Sequence, residues 1–279
     1  MDILSAVIFG IIQGAAEFLP VSSSAHLALC HGMLGILTPD CYPGFDVFLH
    51  AGTLFAVIAV YRKDLYVIFK GLFTAFTKLI RGRFRLDKLE YGERTAVFTA
   101  VATLPAVAAA LLGMENVSDT LSLYPAAVGA LLILNGVMLI IADSCKKQTV
   151  SAENAGYKHA LCMGLFQALA TVPGISRSGA TVTGGMLSGI KREDAVKLSF
   201  IMSVPAILGA CVLKTPELIR SGPDLQSLCV YGAGCAASAV FGLLSIKLLI
   251  FVSGRSKFRY FSFYCFAVGA YAIYRGLGA

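Results

Sequence analysis

Residues 164–181 read GLFQALATVPGISRSGAT, and where their arginine sits decides the fold. The surrounding residues are apolar enough for lipid. Yet Pro173 and Gly174 interrupt them, and Ser176, Arg177, Ser178 and Thr181 follow at once. The apolar region 158–190 is thereby cut into two segments. Each is too short for a hydrocarbon core of about 30 Å, which takes about 20 helical residues to cross. A helix in, an irregular tip and a helix back out is the pattern of a re-entrant hairpin. Irregular backbone survives at membrane depth only where protein or water satisfies it. The apolar region 3–37 is broken in the same way, by GIIQGAAEFLPVSSSAH at residues 10–26. Both stretches run Gly, two apolar residues, Gln, three small or apolar residues, a polar residue, then Pro and a serine-bearing tip. Gln13 stands against Gln167 and Glu17 against Thr171, with the prolines offset by one.

Composition sets these hairpins in a membrane. Of 279 residues, 57% are hydrophobic and 14% charged, and the mean hydropathy is +0.77. A soluble domain carries about 25% charged residues. Six full spans are expected at 45–63, 94–113, 123–143, 195–214, 228–252 and 258–276. Three spans follow each hairpin. Three is odd, so the second hairpin enters from the opposite face, and the two tips meet inside the membrane as in an inverted-topology repeat. The expected fold is all-α: one polytopic membrane domain of six transmembrane helices plus two re-entrant helical hairpins. Repeat one covers 1–143 and repeat two 155–279.

The net charge of +7 does not point to nucleic acid, because the bases cluster in short connections, as the positive-inside bias requires. The 62–94 connection carries Arg62, Lys63, Lys70, Lys78, Arg81, Arg83, Arg85, Lys88 and Arg94, and is expected on the cytoplasmic side. The 144–158 and 253–259 connections are also basic and fall on that side. The 114–122 loop has Glu115 and Asp119 and no base, so it falls outside. Lys214 and Arg220 lie in an outside connection and are exceptions. The start, MDILSAVIFG, lacks the basic region and cleavage site of a secretory signal and is expected to stay in the fold. Of eight cysteines, none forms a CxxC pair, and only Cys30 and Cys41 could pair across a loop. Gly232, Ala233, Gly234, Ala236 and Ala237 suit close helix packing, within one chain or across a homodimer.

The polar residues of the first hairpin come next. Gln13 and Glu17 are four apart and share a helix face. A carboxylate in the apolar zone is costly and usually functional. It is either a structural tie to Arg177 or a metal ligand or acid–base group. Pro20 ends the helix, and Ser22, Ser23 and Ser24 open the return helix. They either cap it or offer hydroxyls to a substrate. His26, three residues after Ser23, could pair with it.

In the second hairpin Arg177 is a permanent cation with a planar donor fork suited to phosphate. The alternative is an arginine that caps a neighbouring helix or snorkels to the interface. Ser176, Ser178 and Thr181 add hydroxyls, and Gly174 and Gly179 let backbone amides approach. A helix starting near Ser178 would favour an anion at its N-terminus. Together the tips suit a phosphate group and the breaking of a bond to it. Their setting in lipid calls for a substrate with a lipid tail and a phosphorylated head.

At QGAAEFLPVSSSAH (13–26) and PGISRSGAT (173–181) the chain resembles the bacitracin-resistance type of undecaprenyl-diphosphatase, and SFIMSVPAILGA (199–210) extends the likeness. The resemblance implies a bacterial plasma-membrane hydrolase whose site faces outside. It would convert undecaprenyl diphosphate to undecaprenyl phosphate and phosphate, recycling the carrier for peptidoglycan synthesis and removing the form that bacitracin sequesters. It implies a divalent cation, magnesium or calcium, with Gln13 and Glu17 as ligands. It implies Glu17 as the essential acid, Ser23 as nucleophile, and His26 as its base or as the nucleophile itself. Arg177 would bind the diphosphate, helped by Ser22, Ser176, Ser178 and Thr181. One departure stands out: the first acidic position of that family is often Glu, and here it is Gln13, which cannot carry charge. Gln13→Glu is expected to keep activity. A polyprenyl-phosphate transporter is the rival reading, since broken helices at the midplane are a transporter plan. Glu17, Ser23 and His26 are the group that transport alone does not need. A non-catalytic lipid-phosphate binder is the other rival.

Overall fold

A computed structural model of the chain describes residues 1–34, 44–85, 88–145, 148–255 and 258–278. They form eleven α-helices: α1 (Ile3–Phe18), α2 (Ser23–Leu34), α3 (Phe45–Ile80), α4 (Tyr91–Leu111), α5 (Met114–Ser122), α6 (Pro125–Ser144), α7 (Tyr157–Leu169), α8 (Arg177–Leu187), α9 (Arg192–Ser221), α10 (Leu225–Arg255) and α11 (Arg259–Leu277). Extended pairing among the described residues is limited to an isolated bridge between Val150 and Ile190. Cys41 of the expected Cys30–Cys41 pair lies outside the described residues.

Five helices, α3, α4, α6, α9 and α10, are long and apolar enough to cross a membrane. This is a multi-pass membrane protein. Its outer surface agrees, with Phe55, Leu104, Leu111, Val212 and Phe263 more than half exposed, the arrangement that lipid rather than water tolerates. The broken regions form helices of 16 and 12 residues (α1, α2) and of 13 and 11 residues (α7, α8). At about 1.5 Å per residue none of these spans a bilayer core alone.

Two connections differ from the sequence expectation. The basic stretch after residue 61 is not a loop. α3 continues through Arg62 and Lys63 to Ile80, with one non-helical residue at Tyr61 (φ −101°, ψ 18°). Lys78 reaches Glu93 at 2.6 Å and Asp64 reaches Lys197 at 2.6 Å, so charges read as loop solvation tie this extension to α4 and α9. The acidic 114–122 segment is the helix α5, entered through Gly113 at φ +77°.

Of the small residues of α10, Gly234 and Ala237 pack within the chain, while Gly232 and Ala236 are exposed. A methyl group on Gly10 would collide with the carbonyl of Gly234, and one on Gly14 with that of Ser238. Hydroxyls lock the same contact. Ser238 donates to the Leu49 carbonyl at 2.8 Å and Ser245 to that of Ala15 at 3.1 Å. In lipid, where apolar burial drives little association, such small-residue packing and interhelical hydrogen bonding hold helices together. α1 is thereby pressed onto α10, with α3 alongside, and the first tip is carried to the centre of the molecule.

Candidate active site

The two tips meet. α1 ends at Phe18, and Leu19–Ser22 form the turn before α2. Ser22 is held at φ 69°, the one non-glycine residue at positive φ among those described. That conformation costs of the order of 1–3 kcal/mol and persists only where the surroundings enforce it. Here the Ser22 hydroxyl accepts from the Ala25 amide at 3.4 Å and pairs with Ser24 Oγ at 3.2 Å. In the second tip Ser176 caps α8, its hydroxyl accepting from the Gly179 amide at 3.2 Å.

Cross-links between the tips are polar and buried. Ser178 Oγ donates to the Leu19 carbonyl at 3.0 Å and Ser176 Oγ to the same oxygen at 3.3 Å. Asn135 of α6 bridges both tips. Its Nδ2 donates to the Pro20 carbonyl at 2.9 Å, and its Oδ1 accepts from the Ser176 amide at 3.1 Å. A fully buried amide with both ends satisfied fixes the spacing of the two turns.

Glu17 lies at the junction. Its Oε1 pairs with Arg177 Nη2. Its Oε2 accepts from Ser23 Oγ at 2.8 Å and from Gln13 Nε2 at 2.9 Å. Three donors on one buried carboxylate offset the cost of removing its charge from water. Arg177 is more exposed than Glu17, 22% against 5% for the side chains. Its bond to Glu17 uses one of the five guanidinium N–H donors, which leaves others to meet a ligand.

A cavity of about 340 Å³ opens on this junction, lined by Glu17, Ser22, Ser23, Ser24, Ser176 and Arg177. Thr171, the counterpart of Glu17, lines it too.

Other expected residues stand elsewhere. Ser23 and His26 do not pair: Ser23 goes to Glu17, while His26 Nδ1 lies 2.7 Å from the Ser22 carbonyl and Nε2 2.7 Å from Tyr264 Oη. The His26 ring also stacks on Tyr264, with centroids 5.6 Å apart. A spacing of three keeps His26 on the same side of α2 as Ser23, but both ring nitrogens are taken up by the Ser22 carbonyl and Tyr264. Thr181 and Ser178 do not line the cavity. Thr181 Oγ1 is spent on Ser199 at 2.6 Å and on the Arg177 carbonyl at 2.8 Å.

The family described as "Bacitracin resistance protein BacA" matches residues 6–271. The chain belongs to this family. It is similar to a protein named undecaprenyl-diphosphatase from Rubrobacter xylanophilus, 39% identical over 272 residues and 97% of both chains. Proteins of the same name from Methanobrevibacter smithii (36% identical, 96% of both chains) and Alkaliphilus metalliredigens (34%, 98% of both) are similar over the same extent. The match takes in both tips of this BacA-family chain.

Three ionisable residues of the cavity are not among the expected site residues: His50 of α3, Asp119 of α5 and Lys214 of α9. His50 had a signal, being the one ionisable side chain between Asp46 and Tyr61 in an apolar stretch. Lys214 had one too. The lysine that breaks the charge rule as a loop residue is a helical cation of α9 that lines the cavity. Asn135 gave no signal beyond being a lone amide in an apolar helix.

Among the described residues no three of His, Cys, Asp and Glu form a metal cluster. Calcium takes 6–8 oxygens, while magnesium is commonly held by one or two carboxylates together with substrate phosphates and water. One carboxylate beside a hydroxyl and an open cavity fits the magnesium mode.

Proposed function

We propose that the terminal phosphate of undecaprenyl diphosphate is removed in the cavity between the two tips. The protein is an undecaprenyl-diphosphate phosphatase of the hydrolase class, and it acts in carrier recycling and bacitracin resistance. The observation that carries the site assignment is the shared carboxylate: Ser23 and Arg177, from opposite tips, both bind Glu17.

The diphosphate enters with its head toward Arg177, whose fork suits phosphate oxygens. Phosphate then replaces Glu17 as the arginine's partner, and the freed carboxylate is left with the Ser23 proton at hydrogen-bond distance. Ser23 Oγ attacks the terminal phosphorus and passes its proton to Glu17. The bridging P–O bond breaks, and undecaprenyl phosphate leaves. Water then attacks the phosphoserine, the P–Oγ bond breaks, and Glu17 returns the proton to Ser23 as phosphate departs. Positioning and charge neutralisation supply most of the acceleration in such transfers. Magnesium, when bound, neutralises charge on the diphosphate oxygens. Glu17 would hold it, and Gln13 would join only with its amide reversed, because its nitrogen now faces Glu17. Ser22 and Ser176 line the phosphate end. Ser178 and Thr181 act behind it, by fixing the tip. His26 orients the α2 turn through the Ser22 carbonyl rather than taking the Ser23 proton.

The cavity faces outside in a bacterial plasma membrane. Supporting this, Ser118 and Asp119 line it from the acidic 114–122 segment, and no residue of the base-rich 62–94 stretch is among its lining residues. We further assign α11 as the sixth span, making two inverted repeats with α1–α2 and α7–α8 as re-entrant hairpins. α1 packs chiefly on α10 and α7 chiefly on α4, with α6 along α11, which is the pairing a two-fold exchange of repeats generates.

Phosphate release from a polyprenyl diphosphate by the purified protein in detergent, with magnesium or with chelator, tests this reading. Release that needs magnesium supports it. A folded protein that binds the lipid and releases nothing would be a binder or a transporter.

A further inference from the structure

His50 is outside the set of residues used so far, yet it lines the phosphate cavity. α3 brings it there because Gly52 lies against the Cys235 carbonyl of α10, where a methyl group would collide. Its Nδ1 is 3.2 Å from Gln13 Nε2, the same nitrogen that lies 2.9 Å from Glu17 Oε2. These two distances settle the chemistry of the ring. A carboxylate paired with Arg177 only accepts hydrogen bonds, so the Gln13 amide must present NH₂ to it. The second proton of that NH₂ then points at His50 Nδ1, which must accept. The ring proton is left on Nε2, and Nε2 makes no hydrogen bond among the described residues. The chain Glu17–Gln13–His50 thus sets one tautomer, as a partner on one ring nitrogen does for the other.

Resting on the phosphatase reading above, we propose that His50 contacts the substrate, donating its Nε2–H to a phosphate oxygen of the diphosphate beside Arg177.

The test compares two substitutions of nearly equal shape, His50→Gln, which keeps an N–H donor, and His50→Met, which does not. KM and kcat for polyprenyl diphosphate and inhibition by inorganic pyrophosphate would be measured on the full chain, with thermal melting as the fold control. His50→Met is expected to raise KM and weaken pyrophosphate inhibition about tenfold or more, the scale of a hydrogen bond to a charged group. His50→Gln is expected to stay within about threefold of wild type on the same scale. Equal losses in the two variants, or none in either, overturn the proposal while wild-type turnover leaves the phosphatase reading intact. No turnover by wild type would sink that reading first. Should His50→Met fail to fold, ¹⁵N shifts of histidine-labelled wild type decide. A bare Nδ1 with a protonated Nε2 supports the proposal, and a protonated Nδ1 overturns it.

Discussion

The two hairpins share a plan and differ in what they carry. In the first, Gln13, Glu17 and Ser23 are joined by hydrogen bonds of 2.8 and 2.9 Å into one acidic, hydroxyl-bearing network. In the second, the matching glutamine, Gln167, is 3% exposed and neither amide atom has a partner among the described residues. Thr171 stands where Glu17 does, and Arg177 supplies charge from the tip instead. On the function proposed above, one hairpin carries the groups that move protons and the other the groups that bind an anion. A buried glutamine costs little only where something answers it, and of the two glutamines only Gln13 is answered among the described residues.

The variants that strain this division most should be Glu17→Ala and Arg177→Ala. Each is expected to lower phosphate release by about a thousandfold or more, as loss of a charge-neutralising group does in phosphoryl transfer. Each also strands a buried charge, so melting temperatures should fall with activity. A variant that melts early yet turns over normally would mean that the pair is only a structural tie. Next in size is the contrast of Ser23→Ala with His26→Gln. Loss of the nucleophile should cost about a thousandfold, whereas His26→Gln, made at a residue bonded to Ser22 and Tyr264, should cost about tenfold. Equal losses would put His26 back beside Ser23.

Asn135→Ala removes the bridge between the tips and leaves the Ser176 amide unanswered. It should destabilise the fold by about 1–3 kcal/mol, the cost of a stranded buried group, visible in a denaturation midpoint. The smallest effects belong to the two glutamines. Gln167→Leu should be neutral or slightly stabilising in the same denaturation, because it replaces an unanswered buried amide. Gln13→Glu brings a second carboxylate against Glu17. It should lose less than about tenfold at saturating magnesium and need less magnesium for half-maximal rate, as added ligand charge strengthens cation binding. A destabilised Gln167→Leu would show that the second hairpin's glutamine has a partner in solution.

Much of this was legible in the chain. Pro20 and Pro173 mark the helix breaks by local rules, two and four residues past the ends of α1 and α7, so both tips could be placed to within a few residues. Arg177 and Glu17 could be paired before any coordinates, since opposite charges in lipid seek each other. What stayed hidden depended on direction and distance. Helical spacing puts His26 near Ser23 but does not say that its ring turns to Tyr264. The same holds for Thr181, which looks like a phosphate donor and serves Ser199. His50 and Asn135 reach the tips from helices remote in sequence, and no local pattern announces such a meeting. The extension of α3 to Ile80 was missed because its charges read as a loop, when two of them are tied to α4 and α9.

The central claim is that the two tips form one site. A double-mutant cycle on kcat/KM for phosphate release, with Glu17→Ala, Arg177→Ala and the double variant, addresses it most directly. The account predicts that the double variant is no worse than the poorer single, because either loss disables the same unit. Losses that multiply would contradict it and place Glu17 and Arg177 in separate sites.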